Sequence, residues 1–281
     1  MLPIPTIAVL ITCHNRRDKT IQCLTALLAQ IGINESYTIE VFLVDDASTD
    51  GTGEAIKKQF SEVNIIQGNG NLFWNRGMHL AWKTAEDSKE FDYYLWLNDD
   101  TFLGKNALEI LFQKKKTNAI VCGTTKSQLD QKATYGGYSN KLRKLIVPNG
   151  DYQKSDYCNG NCVLIPKVVF NTIGNLDPIF HHAVGDFDYS LRARKMDVEI
   201  YVAPEYVGTC ESHAFVPKWR SPSEPLQKRL KYLYSASSGC YPTEFFVFEN
   251  RHNGLLLAFF HYLTTHLRAI FPQLWKTKKE I

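Results

Sequence analysis

The chain has 281 residues, 44% of them hydrophobic, 12% aromatic and 22% charged, a globular composition that excludes a disordered, collagen-like or coiled-coil chain. Its 32 basic and 29 acidic residues leave a net charge of +3, which carries no overall footprint for nucleic acid. The charge is uneven: residues 218–281 hold 10 basic and 4 acidic side chains, and the first 217 hold 22 and 25. A basic, aromatic tail on a slightly acidic body points to an anionic partner at that end.

The first half alternates. Ile7–Thr12 is an apolar strand, and Arg17–Gln30 has helical spacing at Ile21, Leu24, Leu27 and Leu28. Ile39–Val44 is a second buried strand, followed by a turn cluster from Asp45 to Gly51 and a short helix through Phe60. Val63–Ile66 predicts a third strand, residues 68–71 a loop, Arg76–Glu86 a helix and Tyr93–Leu97 a fourth strand. Strands alternating with helices predict an α/β fold with a mainly parallel, doubly wound sheet. Continuously apolar strands agree, because both faces of such a sheet are covered.

The second half is less regular. Ala119–Gly123 predicts a strand, residues 128–152 loops or a hairpin, Cys162–Pro166 a strand, Lys167–Ile173 a helix, Asp186–Arg194 a helix and Glu199–Ala203 a last strand. The texture changes near residue 101, which divides the body into two halves (1–101 and 102–217), followed by a helical extension (218–281). Lys114–Lys116 reads as a solvated helix face. The seven cysteines are odd in number and lie mostly in apolar runs, so a reducing compartment is expected and a disulfide scaffold is not. Cys158 and Cys162 alone make weak zinc ligands and read as structural.

Phe245–Leu274 is rich in Phe, Leu and Ile, interrupted by His252, His261, His266 and Arg268 and followed by Lys276, Lys278 and Lys279. It predicts an amphipathic helix, either at a membrane surface or packed on the body or another subunit of a homo-oligomer. No apolar run approaches the ~20 residues of a membrane span, and the N-terminus lacks the signal-peptide pattern. A cytoplasmic chain is expected, free or peripheral on the inner face of the cytoplasmic membrane.

Ligands of an open parallel sheet bind outside the carboxyl ends of its strands. Three polar clusters fall there: Thr12-Cys13-His14-Asn15, Asp45-Asp46-Ala47-Ser48 and Asn98-Asp99-Asp100. Neither G-x-G-x-x-G after the first strand nor a P-loop signature is present, so the dinucleotide and P-loop readings lose their main support. Adjacent carboxylates closing a strand repel unless a cation or donors lie between them, and Mg²⁺ or Mn²⁺ suits oxygen ligands of this kind; the alternative is a solvated turn.

In order, these segments resemble family 2 glycosyltransferases of the GT-A fold. The matching parts are Ile7–Asn15, Val44–Thr52, Asn75-Arg76-Gly77, Trp96–Thr101, Asn159-Gly160, Gly174–Phe180 and Gly185–Arg194. The resemblance spans residues 5–215 and is nearest to bacterial enzymes that build surface polysaccharides, including rhamnosyl- and galactofuranosyl-transferase-like ones. It implies an inverting glycosyltransferase, a hexosyl- or deoxyhexosyl-transferase type of enzyme, that moves a sugar from a nucleotide-diphosphate sugar to a glycan or lipid-linked acceptor. It implies that Thr12, His14, Asn15, Asp45 and Asp46 hold the nucleotide, with Asp46 accepting a hydrogen bond from the base. Trp74, Asn75 and Arg76 would pass beside the diphosphate and sugar, although Trp74 also reads as core and Arg76 as a surface cap. Asn98 and Asp99 would complete the donor pocket, Asp100 would bind Mn²⁺ or Mg²⁺, and His213 would be a further cation ligand. Asp186 would be the base, with Asp188 supporting it. The family's usual acid before that base is Gly185 here, and its first metal-motif position is Asn98. The alternatives are a sugar nucleotidyltransferase and a non-catalytic sugar-nucleotide or glycan binding module.

Overall fold

The computed structural model describes residues 4–113, 118–141, 144–212 and 217–274. The elements in chain order begin with strand β1 (Thr6–Cys13), helix α1 (Arg17–Leu28), β2 (Thr38–Asp45), α2 (Thr52–Gln59), β3 (Asn64–Gln67), α3 (Phe73–Ser88) and β4 (Tyr93–Leu97). Then follow β5 (Phe102–Leu103), α4 (Ala107–Phe112), β6 (Ala119–Lys126), β7 (Gly137–Ser139), β8 (Lys144–Leu145), β9 (Gln153–Ser155) and β10 (Tyr157–Cys158). The body ends with β11 (Cys162–Pro166), α5 (Lys167–Ile173), α6 (Gly185–Lys195) and β12 (Glu199–Thr209), and the tail forms α7 (Leu226–Leu233), α8 (Pro242–Asn253) and α9 (Leu255–Ile270).

Among the described residues the main sheet has nine strands in the order β3-β2-β1-β4-β11-β6-β12-β5, with β9 pairing β12, and β10-β7-β8 forms a small second sheet. The pairs β1–β2, β1–β4, β2–β3 and β6–β12 are parallel. β11 runs antiparallel to both of its neighbours. Successive β-strand side chains face opposite ways, and β1 shows the result. Ile7, Val9 and Ile11 join the core beneath α1 and α4, whereas Ala8 and Leu10 join Met78, Trp82 and Tyr189 of α3 and α6 on the other face. A strand buried on both sides reads as continuously apolar, which is why the first-half strands were legible.

The structure differs from the predicted elements in particular places. α3 starts at Phe73, three residues before the predicted Arg76, because the Asp46 carboxylate caps its entry. β6 and β12 run on to Lys126 and Thr209. The single tail helix expected over Phe245–Leu274 is two helices, since Gly254 at φ 91° ends α8 and reverses the chain into α9, a positive φ that glycine adopts without a Cβ clash. All seven cysteines are free, and Cys158 packs its thiol 3.6 Å from the Ser190 hydroxyl. No helix among the described residues is long and apolar enough to cross a membrane. Lys114–Lys116, His213, Lys276, Lys278 and Lys279 lie outside the described residues.

Candidate active site

The carboxyl ends of β1, β2 and β4 open into a cleft of about 590 Å³, whose other wall is the segment from residue 182 to Phe187 at the start of α6. Of the residues singled out in the sequence, Thr12, His14, Asp46, Trp74, Asn98, Asp99, Asp100 and Asp186 line it. Asn15, Asp45, Asn75 and Arg76 do not.

The turns after β1 and β2 brace each other. Asn15, in the left-handed region at φ 50°, accepts the Thr49 backbone N–H at 2.7 Å. Asp45 accepts the Ser48 N–H at 3.0 Å. Nδ1 of His14 donates to the Asp46 carbonyl at 2.7 Å, and Nε2 lies 3.1 Å from the Asn15 amide. Both Asp46 carboxylate oxygens are taken by backbone: Oδ1 by Gly70 N–H at 2.7 Å, Oδ2 by Leu72 and Phe73 N–H at 2.9 and 3.0 Å. Asp46 thus holds the loop entering α3 from the edge of the cleft. Asn15 and Asp45 likewise serve the turns.

The floor of the cleft is acidic. Asp99 and Asp100 are 5% and 7% exposed. The Arg16 guanidinium bridges them at 3.0 and 2.9 Å, supplying the positive charge that two adjacent carboxylates require. Burial pushes the Asp99 carboxyl up to about 6, Arg16 opposes that rise and Asp100 adds to it. Asp99 Oδ2 is buried without a hydrogen-bond partner. Asn98 accepts the Trp74 indole N–H at 2.7 Å, and Trp74 stands edge-on to Trp96. Trp74 therefore both lines the cleft and packs on the core.

Facing this floor, Asp186 begins α6. Its Oδ2 accepts the Gly160 N–H at 2.9 Å and Oδ1 the Phe187 N–H at 2.8 Å. Burial in the cleft wall pushes its carboxyl up to about 6, although backbone N–H donors oppose the rise. A carboxylate poised there takes up a proton near neutral pH, which suits a general base. The approach of Gly160 depends on its lacking a side chain, since a Cβ there would lie 2.2 Å from the Trp74 ring.

A model of the family described as "Glycosyl transferase family 2" matches residues 8–174, more than half of the chain. The chain belongs to glycosyl transferase family 2. It is a glycosyltransferase with the mixed α/β GT-A architecture, and two solved structures share the fold. The first is "Mannosyltransferase PcManGT from Pyrobaculum calidifontis in complex with GDP-Man and Mn2+", with TM-score 0.56, 16% identity, and 98% of this chain and 88% of that one covered. The second is S. aureus TarS 1-349, with TM-score 0.55, 14% identity, and 94% and 81% covered. No curated protein matches the chain.

In this glycosyltransferase Asn75 and Arg76, expected beside the diphosphate, have other work. Asn75 is fully buried and donates to the Asp177 and Phe180 carbonyls, both at 2.8 Å. Arg76 donates to the Pro178 carbonyl at 2.8 Å. Helix α3 thereby ties down the loop that leads to Asp186. Asp188 is fully buried and paired with Arg192, Arg251 and His252 at 2.9, 2.8 and 2.9 Å. Burial alone would raise its pKa, but these three partners hold it below the usual carboxylate range. Glu244 of α8 accepts from the His181 backbone N–H at 3.0 Å and from the His181 ring. The sequence reading missed Arg16 and Glu244. Arg16 had a signal, a cation two residues after His14 at a strand end that faces an acidic pair. Glu244 had none, because 63 residues separate it from His181.

Proposed function

We propose that the enzyme moves a sugar from a nucleotide-diphosphate donor to a hydroxyl of a glycan or lipid-linked acceptor in one inverting step, with Asp186 as the base. The observation that carries this reading is the placement of Asp186 across the cleft from the Asp99–Asp100 pair, with its pKa raised to about 6. Asp186 takes the acceptor hydroxyl proton as that oxygen attacks the anomeric carbon. The bond from that carbon to the diphosphate breaks, and the nucleoside diphosphate leaves with the electron pair. A positioned base contributes roughly 10²–10⁴-fold. The N–H groups of Gly160 and Phe187 fix its orientation.

The residues fit a divalent cation. Asp99 and Asp100 present carboxylates on the cleft floor; Arg16 takes one oxygen of each, and the other Asp99 oxygen is buried without a hydrogen-bond partner. Mg²⁺ and Mn²⁺ accept one or two carboxylates and take the rest of their shell from substrate phosphates and water. Asp100 would hold the ion, with Asp99 and His213 as further ligands. When bound, such an ion neutralises charge on the departing diphosphate. The mannosyltransferase neighbour holds GDP-Man and Mn²⁺, which supports both ligand classes here. Thr12 and His14 would line the nucleotide side and Trp74 the sugar side. We further propose residues 1–217 as the catalytic unit, residues 218–281 as an appendage, and a role in bacterial polysaccharide or glycolipid assembly at the inner face of the cytoplasmic membrane.

Binding and hydrolysis of UDP-, dTDP- and GDP-sugars, with and without Mn²⁺, test this reading in the intact chain and in Asp100→Ala. Selective binding of one donor that needs the cation and is lost in Asp100→Ala is expected. Binding without turnover on any acceptor would favour the non-catalytic module, and no donor binding at all would refute the proposal.

A further inference from the structure

A second cavity, of about 360 Å³, lies in the tail between the turn at residues 217–220, the loop at 238–240 and one side of α9. Gly239 lines both this cavity and the active-site cleft, so the two are neighbours. Two guanidiniums, Arg220 and Arg268, line it together with the hydroxyls of Ser238, Thr264 and Thr265. Arg220 lies over the Trp219 ring, 5.7 Å from its centroid, and pairs with no carboxylate among the described residues. Glu249 of α8 is turned to the His261 ring at 3.1 Å and the Asn253 amide at 2.8 Å. Two cations and several hydroxyls around a space of this size are the chemistry of a phosphate site.

The same helix carries a second surface. On α9, residues 261, 264, 265 and 268 follow helical spacing and face the cavity, as residues three and four apart share a side. One position earlier in register, Leu256, Phe260, Leu263 and Leu267 are 87%, 59%, 61% and 44% exposed. An open apolar stripe thus borders a cationic cavity. Helix α7 packs beside it through the Arg229 guanidinium on the Ala269 carbonyl at 2.7 Å and places exposed Lys228 and Lys231 nearby. The whole segment from residue 218 carries an excess of 6 positive charges, 10 against 4.

We propose that this cavity is the phosphate subsite for a lipid-linked acceptor. The phosphate group sits between Arg220 and Arg268. The hydrocarbon chain runs along the apolar stripe of α9 into the leaflet that holds it, and the acceptor hydroxyl reaches Asp186 past Gly239. The inference rests on the glycosyltransferase reading and names its acceptor. Apolar area and cationic side chains act together in holding such a surface to a lipid.

The full chain is tested by cosedimentation with phosphatidylcholine vesicles, alone or doped with a polyprenyl phosphate, a neutral polyprenol or phosphatidylglycerol. About tenfold tighter binding to the polyprenyl phosphate vesicles than to the other three is expected, as a charge-assisted pair confers. Arg220→Gln and Arg268→Gln lose that preference, Arg220→Lys keeps part of it, and Phe260→Ser weakens binding to every vesicle. Equal binding to polyprenol or phosphatidylglycerol overturns the proposal, as does a preference that survives both glutamine variants. Full displacement by millimolar inorganic phosphate assigns the cavity to a soluble anion and overturns the lipid source. Nucleotide-sugar binding, measured on the same samples, separates the two readings. If it persists while the lipid preference is absent, only this inference fails. If it is absent in the native chain, the glycosyltransferase reading fails by itself. Native-level donor binding by the glutamine variants shows that they are folded.

Discussion

Burial raises the Asp186 carboxyl to about 6, so the folded chain keeps a proton there that the unfolded chain releases near pH 4. A raised carboxyl stabilises the fold at low pH, and that contribution is lost as pH rises through about 6. Asp186→Asn has no such proton, so its stability relative to the native chain should improve by about 2 kcal/mol between pH 4 and pH 7. Chemical denaturation at the two pH values checks this, and a pH-independent difference would contradict it. The kcat/KM of the native enzyme should fall as pH drops through about 6, with Asp186→Asn slower by roughly 10²–10⁴-fold at neutral pH. Gly160 gives a steric counterpart. In Gly160→Ala the new methyl would meet the Trp74 ring, break the Trp74–Asn98 hydrogen bond and move the N–H that aims Asp186. Activity should fall on the order of 10²-fold, with a shifted Trp emission that marks the displaced indole. The sequence exposed these acids because polar residues closing apolar strands stand out. Which of them face the cleft was hidden, because Asp45 and Asp46 are alike in sequence and differ in what their oxygens meet.

At the scale of elements, the tail is fastened to the catalytic helix. Arg251 of α8 reaches both Asp188 of α6 at 2.8 Å and Asp177 at 2.7 Å, and Glu244 holds His181. Removing one partner of a buried carboxylate is costly. Arg251 is partly exposed and Asp188 keeps Arg192 and His252, so Arg251→Ala should cost about 2 kcal/mol. Hydrogen exchange of residues 177–188 should rise, and kcat should fall while donor affinity stays unchanged. Unaltered exchange in that segment would separate the tail from the site. Periodicity found α6 and the aromatic tail but not their partnership, because ion pairs between positions more than 60 apart leave no local pattern. The break at Gly254 was available: Asn253-Gly254 after a helical run is a stop signal. The two- and three-residue strands β5, β7, β8, β9 and β10 are too short for any period to register.

Across the whole molecule, the cleft joins the ends of parallel strands β1, β2 and β4 to the start of α6, so a ligand there bridges the sheet and that helix. A donor that binds only the folded form stabilises it by about 2.7 kcal/mol at a hundred times its Kd. For a chain of this size the midpoint of thermal unfolding should rise by about 5 °C. The rise should need donor and Mn²⁺ together and vanish with a chelator. A full shift from nucleotide sugar alone would argue against the ion on Asp100.

The sequence by itself determined the α/β alternation, the family, the three polar strand ends and the odd, basic character of the tail. Each of these is written in short-range order: a strand buried on both faces must be apolar throughout, and a loop at its end is free to be polar. Only the tertiary structure decided which polar residues serve the cleft and which serve the scaffold. The Asn75 amide N–H and Arg76 guanidinium go to backbone carbonyls of residues 177–180 and Asp46 holds the loop entering α3, while Arg16 turns from the first strand end to the acids after the fourth. The tertiary fold also turned the tail back on α6 and brought its arginine-lined cavity beside the cleft. Those contacts join residues far apart in the chain, and a buried donor or acceptor takes whichever partner the packing brings within reach.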